Sequence, residues 1–99
     1  MNITEIRIHF VKKEQSKVKA FASVVFDEEF VVHDFKVVET ERGIFVGMPS
    51  RKVGESEYRE IAHPITSRAR EQLQATILRA YQDEMAKPEN ATVPGAPSL

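Results

Sequence analysis

Two hydrophobic periodicities divide this chain, and the change from one to the other constrains its fold more than any other feature. In the first two-thirds, apolar and polar residues alternate along short segments, beginning with Ile6, Ile8 and Phe10 in ITEIRIHFV. A period of two is typical of β-strands with one solvent-exposed face. After Thr66 the apolar residues recur every three to four positions, which predicts an amphipathic α-helix. We therefore expect a sheet followed by one helix.

Short polar breaks separate about five predicted strands. The strands are ITEIRIHFV, KVKAFASVVF, FVVHDFKVVE, IFVGM and YREIA, and PSRKVGESE is expected to be a loop between the last two. The TERG break places Gly43 where a positive φ is most needed. Asp34 interrupts the alternation of the third strand, which indicates a β-bulge near His33 and Asp34. Such short connections favour an antiparallel meander.

The predicted helix begins after Pro64, with Thr66 or Ser67 as its N-cap residue. An apolar stripe along it would pack on one face of the sheet. The stripe consists of Ala69, Leu73, Ile77, Ala80 and Tyr81, widened by Leu78 and Met85.

Pro88 is expected to end the helix, and the proline-containing segment beyond it has the composition of a disordered tail. The predicted fold class is thus α+β: a small antiparallel sheet of about five strands with one C-terminal helix packed on it. Residues 1–86 would form the folded domain and residues 87–99 a flexible tail.

Composition narrows the classes of function. The 99 residues carry 14 basic and 15 acidic side chains, a net charge of −1, so the protein as a whole does not attract nucleic acid, although a local basic patch still could. The chain contains no cysteine, which excludes disulfides and thiolate catalysis. No apolar run approaches the ~20 residues of a membrane span, and MNITEIRIHF has no apolar signal core. We therefore expect a cytoplasmic protein without a membrane partner.

No catalytic motif is evident. His9, His33 and His63 lack the HxH or HExxH spacing of metal ligands, and the four glycines are too scattered to form a phosphate-binding loop. His33 and Asp34 could orient a general base, but neither a nucleophile nor an oxyanion loop accompanies them. Structural, hydrogen-bonded roles are favoured for His33 and His63. We expect no enzyme activity, cofactor, metal or small-molecule substrate.

The basic and amide side chains are more informative. Arginine and glutamine contact phosphates and base edges, and a helix can enter a major groove with its partly positive N-terminus near a phosphate. Arg68, Gln72 and Arg79 would share the helix face opposite the apolar stripe. The full candidate set for nucleic-acid binding is Arg51, Lys52, Arg68, Arg70, Gln72, Gln74 and Arg79. An ordinary solvated face explains the same pattern, and the nearby acidic residues Glu71, Asp83 and Glu84 favour that alternative.

The second face of the sheet also carries apolar residues. A helix on one face would leave Phe21, Val25 and parts of the third and fourth strands uncovered. Pairing across a two-fold axis would cover them, whereas a base-stacking platform is the other use of exposed strand aromatics. No RNP-like string is present, so burial in a homodimer is favoured.

Three longer strings occur in a fixed order, namely FDEEFVVHDFKVVE, GIFVGMPSRK and YREIAHPITSRAREQLQATIL. Together they resemble the SpoVG (stage V sporulation protein G) family of bacterial septation proteins. The matching patterns are an acidic-Phe-Val-Val-His-Asp run, a Phe-Val-x-Met-Pro-Ser-basic-basic run and an Ile-x-His-Pro-Ile run before the helix. The resemblance covers about residues 2–85, nearly all of the predicted folded region.

The resemblance implies a homodimeric, site-specific regulator that binds double-stranded DNA, with RNA binding in some members. It also implies roles in sporulation, cell division and transcription regulation. Arg70 matches the family's basic residue in the C-terminal helix, and Arg51 and Lys52 match its basic pair. Glu71-Gln72 replaces the Gly-Lys often found in the family, so affinity or sequence preference is expected to differ, with Arg68 as a compensating cation.

A second hypothesis belongs to another class of function. The protein could act as a non-catalytic adaptor in septum formation without contacting DNA. The sheet edge or the solvent face of the helix would then bind a protein partner.

Overall fold

Six strands and one helix follow one another in the computed structural model, which describes residues 2–13 and 15–87. They are β1 (Ile3–Phe10), β2 (Val18–Phe26), β3 (Phe30–Thr40), β4 (Gly43–Gly47), β5 (Ser50–Lys52), β6 (Tyr58–Glu60) and α1 (Ser67–Ala86). The first four strands form an antiparallel sheet in the order β1-β2-β3-β4. Strands β5 and β6 pair separately, and we call them the ribbon. The predicted α+β fold is confirmed.

The ribbon corrects one prediction, because its first strand lies in the segment expected to be a loop. Pro49 has no N–H group and is fully buried, so the pairing of β4 with β3 ends just before it. The chain then pairs with a new partner, and the Pro49 carbonyl accepts the Ile61 N–H at 2.8 Å. The result is six strands in two sheets, where about five were predicted.

The helix packs on one face of the four-stranded sheet, which we call the inner face. Leu73, Ile77 and Tyr81 are buried there, as the apolar stripe predicted. They meet a set of buried sheet and loop residues: Ala20, Ala22, Val24, Phe35, Val37, Val46 and Met48. Small alanines at the centre of β2 leave room for the helix. Leu78 also packs against this core, whereas Met85 is exposed and does not extend the stripe.

Tyr81 closes the core at the C-terminal part of the helix. Its ring lies 5.8 Å from the Phe10 ring, centroid to centroid, in a tilted arrangement. Burial, together with the nearby Glu39 carboxylate, raises the pKa of the Tyr81 hydroxyl. The helix thus contacts a residue of an edge strand as well as the sheet centre.

Two backbone predictions are confirmed. Asp34 has φ +71°, and the β2–β3 register shifts between Ala22 and Val24, which is the bulge expected near His33 and Asp34. Gly43 has φ +132° in the β3–β4 turn. The β2–β3 turn was not foreseen in this form: Asp27 and Glu28 both have positive φ, a conformation that glutamate rarely adopts.

The opposite, outer face of the sheet has no helix over it in the described part of the chain. Phe21, Val31 and Phe45 are exposed there, on β2, β3 and β4. Val38 pairs with Phe45, and Phe21 pairs with Lys36, two residues before Val38. The side chains of Phe21, Val38 and Phe45 are therefore neighbours. Towards β1 the face becomes polar, and the Arg7 Nε–H donates to Glu5 Oε2 at 2.7 Å. That ion pair lowers the pKa of Glu5.

Replacing Ile77 with alanine should destabilise the fold strongly. Ile77 is completely buried, so Ile77→Ala loses transfer free energy and leaves a cavity, and we expect a loss of about 2–5 kcal/mol. Urea unfolding at a fixed protein concentration measures this. Gln82→Ala, on the exposed side of the same helix, should stay within about 0.5 kcal/mol of the wild type. Equal effects of the two substitutions would contradict the packing described.

Candidate nucleic-acid interface

The start of the helix is fixed by Thr66, one of the two residues predicted as N-cap. Thr66 has extended backbone angles, and its Oγ1 accepts the Ala69 N–H at 3.0 Å. Its carbonyl accepts the Arg70 N–H, also at 3.0 Å. These bonds hold the first turn, which carries Arg68 and Arg70, in helical geometry. The first turn contains no acidic residue to offset the partial positive charge of the helix N-terminus.

Arg68, Gln72 and Arg79 lie together on the solvent side of α1, and we call them the exposed stripe. All three are exposed, as the helical periodicity predicted. Neither Arg68 nor Arg79 makes an ion pair with another residue in the described part of the chain. Glu71 and Asp83 flank the stripe, each about 60° around the helix axis from Arg68 and on opposite sides of it. The cations therefore form a narrow line rather than a broad basic patch.

Arg70 and Gln74 occupy a different side of the helix. At 100° per residue, Arg70 lies about 200° around the axis from Arg68, and both Arg70 and Gln74 are half-buried. The Arg70 side chain is 35% exposed, and its Nη2 lies 3.5 Å from Glu60 Oε1 on β6. Arg68 and Arg70 therefore cannot bind the same ligand group from a common face of the helix.

Arg51 and Lys52 are also divided. They are neighbours in strand β5, so their side chains point to opposite faces of the ribbon. Lys52 shares its face with its partner Tyr58 and with Glu60, which contacts Arg70. Arg51 shares the other face with its partner Arg59. The structure thus separates the basic pair that the sequence places side by side.

Arg59 is the basic residue that the sequence analysis missed. It stands directly opposite Arg51 in the ribbon register and is exposed. Arg59 lies in the predicted strand YREIA. Its cross-strand partner Arg51 lies in PSRKVGESE, which was expected to be a loop, so the sequence did not show that the two arginines are opposed. The ion pair between Glu60 and Arg70 then ties this ribbon to the start of the helix.

His33 and His63 both make hydrogen bonds, in agreement with the structural roles favoured above. His33 Nδ1 lies 2.7 Å from the buried Ser23 hydroxyl oxygen, across the bulge. His63 Nδ1–H donates to the Pro64 carbonyl at 2.9 Å. Sequence reasoning had not paired Ser23 with His33, because the two residues meet only through the register of β2 and β3. Their hydrogen bond braces the bulge.

An apolar pocket of about 180 Å³ lies beside the start of the helix. Its walls are formed by Phe26, Val32, Phe35, Ala62, His63, Pro64 and Leu73. Polar groups that could orient a substrate are scarce in it. Within residues 2–13 and 15–87, no group of three or more His, Asp or Glu side chains is placed to hold a metal ion. No helix in that part of the chain is long and apolar enough to cross a membrane.

Comparison with known proteins gives one consistent result. The sequence profile of the family described as SpoVG matches residues 1–83. The chain is 55% identical over 86 residues to the "Putative septation protein SpoVG" of Heliobacterium modesticaldum, covering 87% of this chain and 96% of that protein. The proteins of the same name in Agathobacter rectalis and Clostridium beijerinckii are 55% and 48% identical, over 86% and 88% of this chain and 97% and 94% of theirs. The chain belongs to the SpoVG family.

The SpoVG match includes nearly every residue discussed above. It spans the sheet, the ribbon and the helix as far as Asp83, and so takes in the exposed stripe and both ribbon arginines. The names of these SpoVG relatives refer to septation, and none of them names a reaction. Membership of the SpoVG family thus places this chain among proteins named for septation and does not identify its molecular activity.

Removing the N-cap hydroxyl should loosen the turn that carries Arg68 and Arg70. Thr66→Ala removes the hydrogen bond to the Ala69 N–H, and we expect a cost of about 1 kcal/mol in urea unfolding, with faster amide exchange confined to the first turn of α1. Thr66→Ser keeps the hydroxyl and should remain close to the wild type. An unchanged Thr66→Ala variant would mean that the cap does not fix this turn.

Proposed function

We propose that this SpoVG-family protein is a homodimeric nucleic-acid-binding regulator, with duplex DNA as its main ligand. The observation that carries this proposal is the exposed stripe, in which two arginines and a glutamine line the solvent side of a helix and neither arginine makes an ion pair with another described residue. We propose further that it regulates gene expression linked to septation or sporulation, and the SpoVG family match and this surface support that role.

The chemistry of the stripe suits a nucleic acid. Arginine binds phosphate or the guanine edge through two parallel hydrogen bonds, and glutamine can bind adenine in the same way. Arg68 and Arg79 are eleven residues apart on one face, so they lie about 16 Å apart along the helix axis. A helix presenting such residues fits the major groove of B-DNA, which is about 12 Å wide.

The acidic flanks limit how the stripe can be used. Glu71 and Asp83 would repel phosphates on the two sides of the exposed stripe. A ligand can avoid these carboxylates only if it lies along the helix axis, over the stripe itself. A single protomer offers few cations and a net charge of −1. A homodimer doubles the number of stripes and can span two half-sites, which is how small regulators gain affinity and specificity.

We expect Arg70 to contribute less to nucleic-acid binding than Arg68 and Arg79. Its guanidinium faces the Glu60 carboxylate, with Nη2 3.5 Å from Oε1, and the negative charge of Glu60 should weaken the attraction of Arg70 for a phosphate. A phosphate would have to compete with Glu60 for this side chain. We therefore assign the primary contacts to Arg68 and Arg79, with Gln72 between them.

The homodimer is supported by uncovered apolar surface at one edge of the sheet. Strand β4 is an edge strand with an unpaired row of backbone groups, and its Phe45 is 50% exposed on the outer face next to Val38 and Phe21. A second copy placed across this edge would pair the backbone and cover the aromatic rings. We assign the dimer contact to β4 and the adjoining outer face.

Arg68→Ala and Arg79→Ala should each weaken DNA binding and flatten its dependence on salt. Removing one phosphate contact should reduce the slope of log K against log salt by about 0.9. Fluorescence anisotropy with a labelled duplex, over a range of roughly 50 to 200 mM salt, measures both quantities. Arg42→Ala, which removes another exposed arginine, in the β3–β4 turn, is the matched control and should keep the wild-type slope.

The same titration separates DNA binding from the adaptor hypothesis. If the wild type binds duplexes weakly, and Arg68→Ala and Arg79→Ala bind with the slope of Arg42→Ala, the stripe does not contact DNA. A protein partner captured equally by all four proteins would then favour the adaptor. Tighter binding to single-stranded RNA than to the duplex, with the same arginine dependence, would keep the surface and change the ligand.

Phe45→Lys should convert the dimer to a monomer. The substitution places a charge in the proposed contact, and sedimentation equilibrium should show the mass of one chain where the wild type shows two. Ile65→Lys is the matched comparison, because Ile65 is 91% exposed but lies in the segment just before the helix, outside the sheet. A monomeric Ile65→Lys variant beside a dimeric Phe45→Lys variant would place the contact elsewhere and refute this assignment.

A further inference from the structure

A second anion-binding feature lies on the ribbon. Arg51 and Arg59 are directly opposed in its register, so both side chains project from the same face, with their Cβ atoms about 4.5–5.5 Å apart. Both residues are exposed. Neither belongs to the exposed stripe of the helix, and the relatives' names assign no role to either.

Two like charges in this arrangement oppose folding of the ribbon. Like charges directly across an antiparallel pair are destabilising, and a ribbon with three residues in each strand has little else to offset them. Nearby carboxylates do not form an ion pair with either arginine. Glu60 contacts Arg70, the Glu57 side chain lies over Gly54, and neither arginine makes an ion pair within the described part of the chain.

The ribbon holds the two arginines on a defined backbone despite this cost. At one end the Ile61 N–H donates to the Pro49 carbonyl at 2.8 Å, and at the other the Val53 N–H donates to the Glu57 carbonyl at 2.9 Å. Pro49 is itself fully buried in the domain. The positions of the arginine backbones are therefore set before any ligand arrives.

We propose that Arg51 and Arg59 together bind one phosphate of a nucleic-acid backbone. An anion between the two guanidinium groups would convert their repulsion into two charge-assisted contacts, each able to use a pair of N–H donors. This inference rests on the proposed nucleic-acid function and deepens it, because it adds a contact that no helix residue supplies. It also replaces the adjacent pair Arg51 and Lys52 with the cross-strand pair as the unit that binds.

Arg59→Thr tests the pair in the DNA titration described above. We expect the slope of log K against log salt to fall by about 0.9. When salt is raised from roughly 50 to 200 mM, the factor by which binding weakens should therefore be about 3–4 times smaller for the variant than for the wild type. Arg51→Thr should give the same change. Because we propose that both guanidinium groups are needed to hold the phosphate, losing either one loses the contact, and the double variant should bind only slightly more weakly than either single one.

Two further variants keep the test decisive. Arg59→Lys retains the charge and should retain most of the slope, while binding more weakly because lysine lacks the planar fork. Arg42→Thr removes an exposed arginine from another turn and should match the wild type. Thermal melting without DNA provides an independent readout: Arg59→Thr should melt at the wild-type temperature or above it, since it relieves the repulsion.

Arg68→Ala in the same series separates failure of this inference from failure of the proposed function. If Arg68→Ala binds more weakly while Arg51→Thr and Arg59→Thr keep the wild-type slope, the ribbon site is refuted and the helix surface stands. If the ribbon variants change and Arg68→Ala does not, the ribbon site stands and the helix assignment fails. Wild-type protein without measurable DNA binding would overturn both.

Discussion

The packing of Leu73, Ile77 and Tyr81 against the inner face of the sheet determines what the rest of the molecule can do. Because an α-helix repeats every 3.6 residues, fixing these three side chains inward forces Arg68, Gln72 and Arg79 outward. The same contact covers one sheet face and leaves the other with its exposed aromatic residues. The packing of the helix on the inner face therefore determines both the candidate ligand surface and the candidate dimer surface. A helix rotated by half a turn would bury arginines and expose the core.

Much of this arrangement could be predicted from the sequence, because the deciding signals are local. Alternating apolar residues indicated the four sheet strands, and the helical stripe identified the buried side of α1 before any tertiary packing was known. Asp34 broke the alternation where the bulge lies, and Gly43 marked the turn with positive φ. In each of these cases the local structure is determined by one residue or by the period of the apolar residues. The same regularity makes the exposed stripe predictable.

What could not be predicted depends on pairing between distant segments. Ser50–Lys52 is too short and too polar to show strand periodicity, and it becomes a strand only because Tyr58–Glu60 lies beside it. Until that pairing is known, Arg51 and Lys52 look like one basic group, and Arg59 has no partner. The contact between Arg70 and Glu60 is likewise tertiary. The surface chemistry of the ribbon is thus set by register, which adjacency in the sequence does not reveal.

Binding of nucleic acid to the exposed side of α1 can be tested by chemical-shift mapping. The full chain labelled with ¹⁵N would be titrated with a short duplex, and backbone amides and arginine Nε–H groups followed together. We expect the largest changes at Arg68, Gln72 and Arg79, while the resonances of the buried Leu73 and Ile77 should change little. Changes confined to the outer face of the sheet, with the Arg68 and Arg79 side chains unaffected, would contradict this expectation.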